Sequence, residues 1–136
     1  MVKVWVNGSF DVLHIGHIKL LEYAHTFGSV RVGLDTDERI KERKGNDRPF
    51  NSLSDRIEFL KSIKFVDSVV SFNTDDELTQ KIIEYSPDIM VIGDDYIIET
   101  IVGGKYIPKI IFFPKIKNKS TSNILGYGKT NSLPGL

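Results

Sequence analysis

The sequence predicts an α/β protein, a single doubly wound, Rossmann-like domain on a five-stranded parallel sheet. Three observations lead there. Short apolar runs alternate with amphipathic helical patterns along the chain. The runs are continuously apolar rather than alternating, as strands covered on both faces must be. The 136 residues, 40% of them hydrophobic and 26% charged, suit one domain around one core.

Val2 to Val6, bounded by Asn7 and Gly8, reads as the first strand. From Ile15 to Phe27, residues Ile18, Leu20, Leu21, Ala24 and Phe27 recur at helical spacing, and Gly28 is expected to cap the helix. Val30 to Leu34 is a second strand, and Ser54 to Ile63 a helix with Ile57, Leu60 and Ile63 on one face. Asp67 to Phe72 is a third strand. The helix over Asp75 to Tyr85 turns Leu78, Ile82 and Ile83 inward and stops at Ser86 and Pro87. Asp88 to Ile92 and Lys109 to Phe113 complete the sheet. Residues 1–126 form the domain, and the tail 127–136, without periodicity and rich in Gly, Asn and Ser, reads as flexible.

Eighteen basic residues balance eighteen acidic ones, so no overall field favours nucleic acid or an anionic membrane, and neither is expected as a partner. Any bound anion must be held locally. The absence of cysteine excludes disulfides, thiolate metal sites and cysteine nucleophiles. No stretch reaches the roughly 18 apolar residues of a membrane helix, and the first apolar run is too short for a signal peptide. A soluble, cytoplasmic protein is the expectation.

Ligands of open parallel sheets bind beyond the carboxyl ends of the strands, where strand order reverses. After the first strand comes GSFDVLHIGH, Gly8 to His17. His14 and His17 lie three apart at a helix start and share one face. Gly16 between them would let a ligand approach the backbone. The free N–H groups and positive dipole end of the helix suit phosphate, and two imidazole donors there could stabilise a phosphorus centre gaining charge. For either histidine taken alone, a helix cap followed by surface histidines is the simpler reading. A zinc site using Asp11 is a further alternative, although the Glu of an HExxH motif is missing.

Gly8 to His17 strongly resembles the first signature of the cytidylyltransferase-like superfamily. The resemblance runs in order to about residue 125, through Thr36 to Glu38, the KGNDRP loop of Lys44 to Pro49, Asp55 and Arg56, the turn Ile92 to Tyr96, and STSNI at Ser120 to Ile124. It implies a nucleotidyltransferase. Ser9 and Phe10 would set backbone amides near the α-phosphate, and His14 and His17 would stabilise the pentacoordinate transition state. Lys44 would neutralise charge between the reacting phosphates, and Arg56 would hold the nucleotide or the acceptor phosphate. Asp94 would face the base or sugar, while Ser120 and Thr121 would bind the leaving phosphates. Asp11 would orient the site or hold Mg²⁺ through water, with no protein ligand directly on the metal, which is carried by the triphosphate. A homodimer is also implied.

Without the resemblance, Lys44 sits in a charged run that reads as solvated surface. Arg56 would be an ordinary helix-start arginine, Ser120 a helix cap, and Asp94 part of a turn. Residues 39–48 read as a mobile basic loop that orders over the triphosphate and carries Lys44 inward.

Two branches of the superfamily compete. Glycerol-3-phosphate cytidylyltransferase, which uses CTP, is similar at His17 to Glu22 and at Gly93 to Asp95. The adenylyltransferase domain of bifunctional heptose synthases, which uses ATP, is similar at Asn7 and Gly8, Lys44 to Pro49, Asn51 to Leu53, Val69 to Phe72 and Ile101 to Lys105. The second shares more, so AMP transfer to a phosphorylated sugar or polyol is expected. Lys115 and Ile116 depart from the cytidylyltransferase pattern, as do Asn118 and Lys119 from the expected Gly-rich turn. Two other classes remain. A P-loop kinase would use Gly128 to Thr130, but Asn123 stands at that motif's first glycine. A catalytically silent nucleotide-binding module would have no need of both histidines, Lys44, Ser120 and Thr121 together.

Overall fold

The computed structural model describes residues 1–93 and 101–113. In chain order they form β1 (Lys3–Gly8), α1 (Ile15–His25), β2 (Ser29–Asp35), α2 (Asp37–Lys44), α3 (Leu53–Lys61), β3 (Ser68–Phe72), α4 (Asp75–Tyr85), β4 (Ile89–Gly93), a 3₁₀ turn (Gly104–Tyr106) and β5 (Lys109–Phe113). The sheet has the five parallel strands expected, in the order β3-β2-β1-β4-β5. The expected tail, 127–136, lies outside the described residues.

Alternation along each strand divides the core into two layers. Val4 and Val6 of β1, Val30, Val32 and Leu34 of β2, and Val91 of β4 meet Leu21 and Ala24 of α1 and Leu60 of α3. On the opposite face Trp5, Phe72, Met90 and Ile92 meet Leu78 and Ile82 of α4 and Ile107. Helices therefore cover both faces, as the apolar strands require.

Three expectations change. Gly28 is not the cap of α1, whose C-cap is Thr26. A Cβ on Gly28 would sit 2.2 Å from the Val2 carbonyl oxygen, so this glycine permits a close backbone approach. The helix α3 begins at Leu53 with Ser52 as its N-cap, and the most deeply buried residue it carries beside Leu60 is Arg56.

The third change is α2, in a segment expected to be a mobile loop. Thr36 caps it by accepting the Arg39 N–H at 3.2 Å, Asp37 and Glu38 occupy its first turn, Lys41, Arg43 and Lys44 its last, and Gly45 at φ 105 ends it. Those charges complement the helix dipole and are the signal in the sequence. The apolar signal is a single residue, Ile40, which is 2% exposed.

Candidate active site

The order β3-β2-β1-β4-β5 reverses direction between β1 and β4, where the site is expected. The ladders there are unequal. β1 pairs with β2 from Lys3↔Ser29 to Gly8↔Leu34, and β4 with β5 as far as Gly93↔Phe113. Between β1 and β4 the pairs are Val4↔Ile89 and Trp5↔Met90. Beyond Trp5 the ladder between the two strands ends, which leaves the opening of the switch point, and the segment Gly8 to His17 follows at the carboxyl end of β1.

The two histidines close a capping box on α1. His14 is the N-cap, and its Nδ1 accepts the Gly16 N–H at 3.1 Å; the Nδ1 of His17 accepts the His14 N–H at 3.1 Å. A Ser/Thr and Glu pair usually makes this motif. The imidazole centroids lie 4.0 Å apart, tilted by 33°. A ring nitrogen that accepts an N–H carries no proton itself, so each neutral imidazole holds its proton on Nε2. Two fixed Nε2–H donors thus stand side by side at the positive end of a helix. Burial, and then the neighbouring His14, push the His17 pKa from 6.5 down to about 4, so this donor is uncharged at neutral pH.

The space above Gly16 is used differently from expectation. A Cβ there would be 2.8 Å from Cε1 of His14, so the glycine makes room for the imidazole. Phe10 supports the other ring, at 5.1 Å and 54° from His17, with its own side chain 4% exposed. Its φ of 48° is strained for a bulky residue, and such strain persists only where the surroundings enforce it.

Asp11, 3% exposed, fastens the next loop. Its Oδ1 accepts the N–H groups of Phe50 and Asn51 at 3.0 and 2.9 Å, and its Oδ2 those of Phe50 and Arg48 Nε at 2.9 and 3.1 Å. Burial alone would raise its pKa, but the Asn51 and Phe50 amides and the Arg48 guanidinium outweigh burial and lower it. Both oxygens are occupied by protein donors. Among the described residues no group of three or more His, Asp or Glu is placed to hold a metal ion.

Arg56 differs most from its expected role. Its side chain is fully buried, with Nε donating to the Asn51 carbonyl at 3.0 Å and Nη1 to those of Ser9 and Asp35 at 3.0 and 2.8 Å. Nη2 donates to Asp37 Oδ1 at 2.6 Å. It ties the β1–α1 loop, the end of β2, the start of α2 and the loop before α3 together, and does not present itself to a phosphate. The Ser9 carbonyl is one of the points it holds. Arg39, expected at the start of the mobile basic loop, is instead buried and does similar work. Nε reaches Asp35 at 2.7 Å, Nη2 reaches Asp75 at 2.7 Å, and the guanidinium lies 5.0 Å over the Phe72 ring. Burial would lower the Arg39 pKa, but Asp75 and Asp35 raise it. The i,i+4 spacing of Asp35 and Arg39 was its one trace in the sequence.

Lys44 is exposed at the end of α2, and no contact among the described residues joins it to the histidines. Asp94, Ser120 and Thr121 lie outside the described residues. Within them no helix is long and apolar enough to cross a membrane.

A family model described as cytidylyltransferase-like matches residues 5–121. The Bifunctional protein HldE of Campylobacter fetus is 42% identical over 123 residues, covering 90% of this chain and 27% of that protein. The protein of the same name from Helicobacter hepaticus is 42% identical over 123 residues, covering 90% of this chain and 25% of its own length. This chain therefore spans about a quarter of the curated relatives it matches. Among solved structures, the lipopolysaccharide core biosynthesis protein from Thermoplasma volcanium has a TM-score of 0.72 at 25% identity, covering 85% of this chain and 98% of that one.

Proposed function

The chain belongs to the cytidylyltransferase-like family and is a nucleotidyltransferase, and from that premise we propose that it transfers AMP from ATP to a phosphorylated sugar or polyol, releasing pyrophosphate. The observation that carries this reading is the pair of fixed Nε2–H donors at the α1 N-terminus, beside the opening between β1 and β4. A phosphate oxygen of the acceptor is already a nucleophile, so no relay to activate a hydroxyl is needed. It attacks the α-phosphorus in line, a new P–O bond forms, and the bond to the β-phosphate oxygen breaks as pyrophosphate leaves. The histidines donate to the non-bridging oxygens as charge gathers there, and catalysis is positioning with electrostatic stabilisation. Magnesium enters as part of the Mg–ATP substrate; the described residues provide it with no ligand cluster.

The choice of ATP and of a sugar phosphate rests on the likeness to the heptose synthase branch at Lys44 to Pro49 and Ile101 to Lys105. The similarity to the HldE proteins supports the choice of that branch. The family likeness also leads us to propose a cytoplasmic homodimer, which sedimentation velocity would count.

The test is a matrix of ATP, CTP, GTP and UTP against glycerol 3-phosphate and several sugar 1-phosphates, read by pyrophosphate release. Turnover is expected with ATP and a sugar 1-phosphate. Turnover with CTP and glycerol 3-phosphate would replace this reading by the other branch. Triphosphate binding without pyrophosphate release from any pair would leave a silent binding module.

A further inference from the structure

With Arg56 locked inside the protein, the acceptor's phosphate needs another cation. We propose that Arg48 receives it, an inference that rests on the reading of the site as a nucleotidyltransferase.

Arg48 is held at one end and open at the other. Its Nε donates to Asp11 Oδ2 at 3.1 Å, and its guanidinium lies 4.8 Å from the Phe50 ring centroid. Asp11 is itself fixed by the Phe50 and Asn51 amides, and the Asn51 side chain donates back to the Asp11 carbonyl at 2.5 Å. The stem of the arginine is therefore set in a rigid frame. Among the described residues Nη1 and Nη2 have no acceptor, and the side chain is 30% exposed. Arg56 and Arg39 commit those same nitrogens to protein oxygens. A planar fork held by its Nε, with its outer nitrogens free, suits two parallel hydrogen bonds to a phosphate.

Topology assigns that phosphate to the acceptor rather than to the nucleotide. The crevice at the reversal of strand order lies between β1 and β4, and the nucleotide is expected there. Arg48 sits on the other flank of the β1–α1 loop, in the connection from α2 to α3, which follows β2. Asp11 and the N-cap His14 are separated by at most about 11 Å of extended chain, so Arg48 is anchored to the same β1–α1 loop that carries the histidines. The Phe50 ring against the guanidinium is 68% exposed, an apolar face on which the carbon face of a sugar can rest. Two anions that repel each other could in this way be brought to the histidines from opposite sides.

The test measures binding rather than turnover. Inorganic phosphate is titrated into the full chain saturated with Mg²⁺ and the unreactive analogue α,β-methylene-ATP, in the wild type, R48Q and R48K. R48Q is expected to weaken phosphate binding about 10- to 100-fold, the scale of losing a charge-assisted fork. Binding of the analogue should stay within about twofold, as expected of a cation that acts on the other flank. R48K keeps the charge without the fork and should fall between the two, and it carries the test if R48Q does not fold. Unchanged phosphate binding in a folded variant, equal loss of analogue binding, or a wild type that does not take up phosphate would each overturn the proposal. Failure of the wild type to bind the analogue would instead count against the nucleotidyltransferase reading beneath it.

Discussion

Two polar corners meet at the end of β1, and they spend their hydrogen bonds in opposite ways. Beneath the loop, Arg56 and Arg39 commit every guanidinium nitrogen to carbonyls and carboxylates of the chain. At the mouth, His14 and His17 use one ring nitrogen each on the backbone and keep the other. The arginines hold segments together, and the histidines remain available to a ligand. A charged residue in a site is thus read better from what its donors already touch than from its charge. The difference also orders the consequences of mutation.

The largest effect should come from the committed corner. Replacing Arg56 with Met strands the Ser9, Asp35 and Asn51 carbonyls and removes the ion pair with Asp37. This is expected to cost about 3–5 kcal/mol, the scale of breaking a buried ionic network. Urea unfolding would measure it. A loss below about 1 kcal/mol, within the ordinary range of surface substitutions, together with a selective loss of substrate binding, would return Arg56 to the role of phosphate ligand.

The uncommitted corner should show the reverse. Asn in place of either histidine keeps an acceptor near the Nδ1 position and removes the Nε2 donor. His17→Asn and His14→Asn are each expected to lower kcat by roughly 10²- to 10³-fold with a small change in stability. His17→Ala also loses the cap, which adds about 1 kcal/mol of destabilisation. Near-normal turnover in both Asn variants would remove the histidines from the mechanism.

The smallest effect sharpens the comparison through protons. The folded-state pKa of His17 lies below its unfolded value, so protons favour the unfolded chain. The stability tied to neutral His17 is whole above about pH 6.5 and falls as pH drops towards about 4. Proton NMR of the His17 ring should titrate near pH 4, and a midpoint at or above 6.5 would show the ring to be solvated and free of the cap.

Much of this was legible beforehand where the signal is apolar and local. The five strands and the exact span of α4 follow from runs such as Ile89 to Ile92 and from Leu78 and Ile82 one turn apart. The histidine pair was legible because three residues of spacing at a helix start fix a geometry. Helix α2 was missed because it buries one apolar residue, Ile40, under a charged sequence. Arg56 was misread because its acceptors at Ser9 and Asp35 lie 47 and 21 residues away, and only the folded chain brings them to one point. No periodicity reports whether a guanidinium has been satisfied.

The short ladder between β1 and β4 also bears on how easily the site could be retuned. Where backbone hydrogen bonds run, neighbouring strands are held about 4.8 Å apart whatever their side chains. Past Trp5 and Met90 that constraint ends, and the spacing of the two strands is left to the packing around them. Val6 and Val91, just beyond the last pair, are buried in the core layer that meets α1 and α3, so that spacing is tied to the packing of the core. Exchanging them for smaller or larger residues would act first on that packing, without removing a side chain from the mouth of the site. The spacing of the strands beside His14 and His17 is therefore bound to the stability of the whole domain, and a change in one is a change in the other.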